Sequence, residues 1–309
     1  MHKFLRLVFN FFQTFKINVL PKHFYSSIPD FSYLKSNDFW KKPNSMYGIN
    51  GIEIDQQIAF TKDSVESIKN ISVLQNEQIL STAVKEQNEE GYGVIEADFL
   101  YCFIFKHQPK KIIQIGCGVS SSIILRASKD AGYKVDLVCV EPYPSDYLQK
   151  LSDQGDITLI SQAAQVVKID TLIDLQSGDM FFVDSTHTVK VGSEVNRVIL
   201  EVLPRLSPGV FVHFHDIFFP YDFQRNINTT AFFWSEGSLL QAFLINNSKY
   251  TIRQAQSMLH YEAKDKMVSL FPNYKPQEDN GGLPQGSTQG KHFPAAIYLQ
   301  VLDDKNSYS

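Results

Sequence analysis

The chain has 309 residues, and its 29 Lys and Arg residues against 33 Asp and Glu residues leave a formal net charge of −4. This acidic balance argues against a nucleic-acid partner, because binding a phosphate backbone requires a positive protein surface. Hydrophobic residues make up 43% of the chain, which excludes a disordered protein and is enough for one elaborated domain or two domains.

The N-terminal segment FLRLVFNFF (residues 4–12) is apolar but is interrupted by Arg6 and Asn10. It is far shorter than the roughly 20 apolar residues that a membrane span needs, and it lacks a cleavage site, so we predict neither a transmembrane helix nor a signal peptide. The segment fits one face of an amphipathic helix. We expect that face to pack on the protein itself, with weak peripheral membrane contact through residues 1–17 as the alternative.

The sequence pattern of residues 1–98 predicts a mainly helical cap, which we expect to face the substrate. Apolar positions recur every three and four residues within residues 54–80, and aromatic and proline residues crowd residues 20–34. From Lys111 onward, short runs rich in Val, Ile and Phe alternate with longer amphipathic runs. This alternation predicts an α/β domain over residues 99–309, with a doubly wound and mostly parallel sheet.

We predict the strands and later elements of this domain from the apolar runs. The strands are residues 111–115, 134–140, 157–160, 179–184 and 209–215, followed by a helix within residues 232–247 and late strands at 249–255 and 294–302. The tract 272–291 is polar and rich in Gly, Pro and Gln, so we expect a mobile insertion over residues 254–293.

The three cysteines, Cys102, Cys117 and Cys139, are an odd number without a paired short spacing. This pattern fits neither a disulfide framework nor a zinc site. It favours a reducing compartment, and we predict a cytoplasmic protein.

The segment IIQIGCGVSSS (residues 112–122) is an apolar strand that leads into Gly116, Cys117, Gly118 and Ser120 and then into a helix. Glycines allow a tight turn and a close approach to a ligand, while a helix start presents unpaired N–H groups. A nucleotide-like cofactor is the expected guest. The dinucleotide fingerprint requires a third glycine where this chain has Ser121, which speaks against a bound pyrophosphate.

Acidic and imidazole side chains follow the other predicted strands. Glu141 ends the second strand at the spacing of a residue that binds ribose hydroxyls. Asp184 and His187 follow the fourth strand, and His215 and Asp216 follow the fifth. Because parallel strands end at the same edge of a sheet, we expect these groups to meet beside the glycine loop. For His213, inside an apolar strand, we expect a core position.

Taken in order, IIQIGCGVSS, CVEPYP, FFVDSTHTVKVGSEVN and LPRLSPGVFVHFHDIF resemble class I S-adenosylmethionine (SAM) dependent methyltransferases, and in particular bacterial O-methyltransferases of the macrolide-sugar type. The resemblance covers about residues 90–302. It implies the strand order 3-2-1-4-5-7-6 with the last strand antiparallel. It also implies methyl transfer from SAM to a hydroxyl, on a saccharide or a glycosylated natural product.

The resemblance assigns roles residue by residue. Gly116, Cys117, Gly118 and Ser120 match the loop under the methionine part of SAM, and Glu141 matches the ribose acid. Gln162 stands where many relatives have an acidic residue near the adenine amine, and its side-chain carbonyl could accept the same hydrogen bond.

The same resemblance implies the catalytic and metal-binding residues. His187 matches the general base, with Asp184 as its catalytic companion. Asp184, His215 and Asp216 match a divalent-cation site in which a histidine replaces one acidic ligand, so Mn²⁺ or Fe²⁺ becomes more plausible beside Mg²⁺. With an ordinary pKa near 6.5, an imidazole can accept a proton at neutral pH.

Two other functions stay open from the residues alone. An NAD-dependent oxidoreductase shares the glycine loop and the acidic residue, and a non-catalytic scaffold that binds SAM or a nucleotide would share them too. The expected partners are a small-molecule or glycan acceptor and a second copy of the chain in a homo-oligomer.

Overall fold

The computed structural model describes residues 2–68, 71–75, 78–222, 232–277 and 293–303. It divides the chain into two units, Met1–Lys42 and Pro43–Ser309. Within the described ranges, no helix is both long enough and apolar enough to cross a lipid bilayer. Most of the tract predicted as a mobile loop, residues 278–292, lies outside the described residues.

The first unit contains helices α1 (His2–Gln13) and α2 (Phe31–Lys35). The amphipathic segment forms α1, as its pattern predicts. Helix α2 begins where the Asp30 carboxylate accepts hydrogen bonds from the backbone N–H groups of Ser32 and Tyr33. This cap satisfies two donors that the first turn leaves unpaired, which lets a helix of one turn form.

The second unit alternates helices with strands. The helices that precede its sheet are α3 (Ile54–Glu66), α4 (Gln78–Gln87) and α5 (Val94–His107). The later helices are α6 (Val119–Asp130), α7 (Asp146–Asp153), α8 (Ile169–Leu172), α9 (Glu194–Arg197), α10 (Glu236–Leu244), α11 (Gln256–Glu262) and α12 (Lys264–Leu270). A π-helical turn over Val198–Val202 continues α9.

One seven-stranded sheet forms the centre of this unit. Its strands are β1 (Lys111–Ile115), β2 (Asp136–Val140), β3 (Thr158–Ile160), β4 (Met180–Val183), β5 (Phe211–Phe214), β6 (Tyr250–Ala255) and β7 (Ile297–Val301). Their order is β3-β2-β1-β4-β5-β7-β6, with β7 antiparallel to both neighbours and the other pairs parallel. The predicted fold class, strand order and strand directions are confirmed.

Successive strand residues point into two separate cores. In β1, Ile112 packs in the core that contains Phe99 and Phe103 of α5, while Ile113 packs in the core that contains Val198. All of these side chains are buried. Because helices cover both faces of the sheet, the buried residues of its central strands are apolar apart from Gln114 and His213, which is why these strands could be recognised in the sequence.

Helices α3 to α5 belong to the same unit as the sheet, and α5 packs against it. The rings of Phe99 and Phe103 lie 4.9 and 5.0 Å from the ring of Tyr298 in β7. The predicted boundary between the cap (residues 1–98) and the α/β domain (residues 99–309) falls inside α5. That the cap faces the substrate remains a prediction. Part of the predicted insertion 254–293 forms α11 and α12, where Leu259 and Met267 are buried.

Histidine 107, at the end of α5, is expected to make the protein acid-sensitive. Its ring lies 5.3 Å from that of Phe60 and 4.5 Å from that of Phe103, and this burial lowers its pKa from 6.5 to about 4. The unfolded chain therefore takes up the proton first, and stability falls as the pH drops from about 6.5 to about 4.

A Phe at this position has no proton to take up. Between pH 7.5 and 5, we expect His107→Phe to lose about 1 to 2 kcal/mol less stability than the unaltered protein. Urea unfolding at the two pH values measures this difference. The exposed His23, changed in the same way, serves as the control. An equal pH dependence in all three proteins would contradict the assignment.

Candidate active site

The loops that follow β1, β2, β4 and β5 begin side by side at one edge of the sheet. The first residue of each loop continues the backbone hydrogen bonding of the strands, with N–H to O distances of 2.9 to 3.2 Å, and these residues are Gly116, Glu141, Asp184 and His215. The sequence predicted that these groups meet at a shared edge, and the structure places them there.

The features that favour glycine differ between positions 116 and 118. Gly116 has a φ of 76°, and a Cβ atom on it would collide with the carbonyl oxygen of Asp184. The loop after β1 therefore packs backbone to backbone against the loop after β4. Gly118 has an extended φ of 177°, and a Cβ atom there would meet only the Glu89 carboxylate, at 3.3 Å.

The buried side chain of Gln114 holds the glycine loop from below. Its amide donates to the carbonyl oxygen of Gly116 at 3.0 Å and to the Ser120 hydroxyl at 2.7 Å, and its oxygen accepts from the Ser121 hydroxyl at 2.9 Å. Ser120 is only 3% exposed. The hydroxyl that the resemblance placed under SAM is thus bonded inside the protein, and Gln114 is a supporting residue that the sequence did not reveal.

The Glu141 carboxylate lies against the same loop. One oxygen accepts from the backbone N–H of Cys117 at 3.3 Å, and the other accepts from the backbone N–H of Tyr143 at 2.9 Å. These bonds fix a negative charge beside the glycine turn, and the side chain stays partly exposed to solvent. Gln162, the predicted adenine contact, is exposed two residues beyond the end of β3.

Two imidazoles and two carboxylates form a ring at the ends of β4 and β5. His187 Nε2 lies 3.5 Å from Asp184 Oδ1 and 3.6 Å from Asp216 Oδ2. His215 Nδ1 lies 3.3 Å from Asp184 Oδ1 and 3.6 Å from Asp216 Oδ2. The structure thus brings together all four predicted residues, and each imidazole contacts both carboxylates. We call these four residues the ring cluster.

Helix α10 holds His187 in two ways. The backbone carbonyl of His187 accepts from the N–H groups of Ser235 at 2.9 Å and Glu236 at 3.1 Å, and its Nδ1 lies 2.9 Å from Glu236 Oε2. His187 has a φ of 56°, a left-handed conformation that costs about 1 to 3 kcal/mol in a non-glycine residue. The helix start maintains this conformation and directs Nε2 toward the carboxylates.

Helix α5 and the residues before it support His215 from the other side. His215 Nε2 lies 3.6 Å from Glu96 Oε1, and the Tyr92 ring stacks on the His215 ring at 4.6 Å. The same Glu96 oxygen accepts from the backbone N–H of Ala295 at 2.7 Å. Residues 92–96, assigned to the cap, therefore contribute side chains to the candidate site.

The charges of the ring cluster depend on one another. Burial disfavours the imidazolium form of His187, but the contacts with Asp184 and Glu236 outweigh it and raise its pKa to about 10. Burial also works against the charged form of His215, yet Asp184 and Asp216 raise its pKa. The two histidines in turn lower the pKa of Asp184 despite its burial. Near neutral pH, the ring cluster pairs two imidazolium ions with carboxylates.

His213 lies in the core, as expected. It is fully buried, its ring stacks on Phe182 at 4.2 Å, and its Nε2 lies 3.4 Å from the Tyr92 hydroxyl. Burial lowers its pKa, and the adjacent His215 lowers it further. This histidine is therefore neutral, which fits a structural position.

The cation predicted at Asp184, His215 and Asp216 remains a prediction. His215 Nδ1 faces both carboxylates, and their negative charges raise the pKa of the His215 ring. Across the ranges that the structure describes, no group of three or more His, Cys, Asp and Glu side chains is arranged to hold a metal ion. We therefore assign no chemical step to a metal.

Residues 113–217 match the family model described as "Methyltransferase domain". The match begins in β1 and ends just after Asp216, so it includes the glycine loop, Glu141 and the ring cluster. A protein of Archaeoglobus fulgidus, called "Uncharacterized protein", is 24% identical over 155 residues, which cover 48% of this chain and 70% of that protein. Residues 113–217 are therefore similar to a methyltransferase domain.

Two solved structures illustrate the similarity. The methyltransferase PaMTH1 of Podospora anserina, bound to S-adenosylhomocysteine, has 14% identity and a TM-score of 0.41, and the alignment covers 90% of this chain and 99% of that one. The plantazolicin methyltransferase BamL has 12% identity and a TM-score of 0.42, with coverage of 82% and 100%.

Proposed function

We propose that this SAM-dependent methyltransferase transfers the methyl group to a hydroxyl oxygen, on a saccharide or a glycosylated natural product. The observation that carries the proposal is the position of His187. Its Nδ1 contacts Glu236, its Nε2 faces the ring cluster, and the loop that bears it packs against the glycine turn at Gly116. A hydroxyl acceptor must lose a proton, and an oriented imidazole is the side chain best suited to accept it.

The residues beside the glycine loop are suited to hold SAM. The partly exposed Glu141 carboxylate would accept hydrogen bonds from the ribose hydroxyls, and the open side of Gly118 would allow the ligand to approach the backbone. Gly116 and Cys117 form the rest of this turn, and Ser120 would support it through its hydrogen bond with Gln114. Gln162, which follows β3, would contact the adenine. When bound, SAM supplies a methyl group on a positively charged sulfur.

The rest of the reaction depends on position and on proton transfer. The acceptor oxygen must lie in line with the methyl group, and positioning supplies most of the rate enhancement in such transfers. His187 Nε2 receives the hydroxyl proton, Glu236 holds the ring by Nδ1, and Asp184 and Asp216 stabilise the imidazolium that forms. This division of roles follows the logic of histidine bases that are oriented by a carboxylate.

An aromatic ring beside the base supports a ring-shaped acceptor. The Trp234 ring lies 4.6 Å from the His187 ring and is partly exposed. Flat apolar faces of this kind pack well against the faces of sugars and fused rings. The aromatic segment of residues 23–40 remains a predicted acceptor-facing region.

The alternatives are less well supported. The family match is to a methyltransferase domain, which speaks against an NAD-dependent oxidoreductase. An inactive scaffold would have no need for a strained histidine that is held by two links to α10. The retained His187–Glu236 pair therefore favours turnover.

A labelled-methyl assay tests the proposed function. The full chain is incubated with methyl-labelled SAM and a panel of saccharides and glycosylated natural products, with and without EDTA. We expect label in an alkali-stable methyl ether, and a loss of transfer on addition of EDTA would indicate a divalent cation at the ring cluster. Label on nitrogen or sulfur alone, or no transfer to any hydroxyl compound, would contradict the proposal.

The cofactor site has its own prediction. Replacing Glu141 by Gln should weaken SAM binding about tenfold or more, because a charged acceptor for the ribose hydroxyls is lost. Calorimetric titration with SAM measures the effect. Asp136→Asn is the matched control, since Asp136 begins the same strand at its opposite end and is exposed. Equal affinities in the two variants would remove Glu141 from the SAM site.

A further inference from the structure

We propose that residues 2–28 of the first unit dock in the plane of an anionic lipid surface. The inference goes beyond methyl transfer and uses neither the glycine loop nor the ring cluster. It depends on an apolar strip of α1, on the charge of the residues around it, and on exposed apolar residues that follow the helix.

The apolar strip consists of Phe4, Leu7, Phe11 and Phe15, which lie three or four residues apart and therefore share one face of the helical segment. Their side chains are 60% to 68% exposed. A soluble surface seldom exposes four large apolar side chains in a row, so this strip requires a covering partner.

Basic residues accompany the strip without acidic ones. Lys3, Arg6, Lys16 and Lys22 are the charged residues of this region, and Asp30 is the first acidic residue of the chain. Lys22 forms an ion pair with Asp30 at 2.8 Å, while Lys3 and Arg6 lie on the first turns of α1. Basic side chains near an apolar helix face match the charge of an anionic membrane surface.

The residues that follow α1 also expose apolar side chains. Ile17 and Leu20 are about half exposed, and Phe24 and Tyr25 are more than four-fifths exposed. Aromatic rings of this kind are enriched at the boundary between lipid and water. The apolar surface is therefore longer than one helix.

The geometry favours an in-plane contact with lipid over the other arrangements. Helix α1 has 12 residues and is about 18 Å long, which is too short to cross a bilayer core of about 30 Å. A second copy of the chain would bring basic helices together without acidic partners. An anionic lipid surface accommodates both the apolar strip and the positive charge.

Vesicle co-sedimentation of the full chain tests the proposal. One set of vesicles contains phosphatidylcholine alone, and the other contains one part of phosphatidylglycerol to two parts of phosphatidylcholine. We expect clear binding to the anionic vesicles, weak binding to the neutral ones, and a loss of binding as the NaCl concentration is raised.

Paired variants distinguish binding through the apolar strip from nonspecific adsorption to vesicles. Phe11→Ser is expected to reduce partitioning onto anionic vesicles about tenfold, because the ring no longer leaves water. Asn10→Ser, on the polar side of the same turn, should leave partitioning unchanged. Arg6→Gln should weaken binding to anionic vesicles only. Methyl transfer should stay unchanged in all three, so a failure of this proposal does not affect the proposed function.

Two results would overturn the proposal. The first is an absence of binding to anionic vesicles at low salt. The second is a dimer in sedimentation-velocity experiments without lipid that Phe11→Ser dissociates, since the strip would then be covered by a second copy. Equal binding of Phe11→Ser and Asn10→Ser would also exclude the apolar strip as the contact.

Discussion

Replacing His187 by Ala is expected to lower kcat about 10²- to 10⁴-fold, the usual range for loss of a general base. The acceptor hydroxyl then has no group positioned to take its proton. SAM affinity should stay within a few-fold of the original, because the glycine loop and Glu141 remain intact. Single-turnover methyl transfer measures the first effect, and calorimetry with SAM measures the second.

The pH dependence of the reaction identifies the base. At neutral pH most His187 rings carry a proton, because its pKa is raised to about 10. The neutral fraction grows about tenfold per pH unit below that value, so kcat/KM should rise with pH toward about 10. Glu236→Gln removes one of the carboxylates that hold the proton, which should move this rise to lower pH.

Control variants make this prediction specific. Thr188→Ala, next to the base and only partly exposed, should leave kcat and the pH profile unchanged. Asp216→Ala should lower kcat, because the imidazolium loses a stabilising charge. Unchanged turnover in both His187→Ala and Asp216→Ala would remove the roles proposed for these residues.

Replacing Gly116 by Ala should destabilise the protein by about 2 to 4 kcal/mol and abolish SAM binding. The added Cβ atom would collide with the Asp184 carbonyl oxygen, and the φ of 76° is unfavourable for alanine. The backbone of both loops must therefore move. Urea unfolding and SAM titration of the variant measure the two effects.

Gly118→Ala is the matched control for Gly116→Ala. Its φ of 177° lies outside the left-handed region, and the new methyl group would meet only the Glu89 carboxylate, a flexible and exposed side chain. We expect stability within about 0.5 kcal/mol of the original. Weaker SAM binding with normal stability would then indicate a ligand close to Gly118. Equal stability of the two glycine variants would contradict the packing argument for Gly116.

The strands were predictable because each is a short, strongly apolar run, and their order was implied by the resemblance to methyltransferases. Strand β1 was predicted at its observed limits, and the other strands are shorter than predicted by one to four residues. The differences arise at strand ends, such as the buried Val135 before β2, where apolar composition continues beyond the hydrogen-bonded ladder. Composition reports burial, whereas a strand limit is set by backbone pairing.

The candidate site was predictable only in part. The residues that follow strands were identified because parallel topology brings them together. Glu236 and Glu96 were not, because they reach the site from α10 and α5, far away in the chain, and nothing in their local sequence marks them. The expected imidazole pKa near 6.5 was also wrong for His187, since its carboxylate neighbours could be known only from the fold.

The double attachment of His187 to α10 links two properties that are often treated as separate. The segment that enters α10 carries Trp234, which lies beside the base, as well as the groups that hold the base itself. A substitution there that admits a different acceptor would also alter how strongly the imidazole binds its proton. Among natural variants of this segment, acceptor preference and pH optimum should therefore change together.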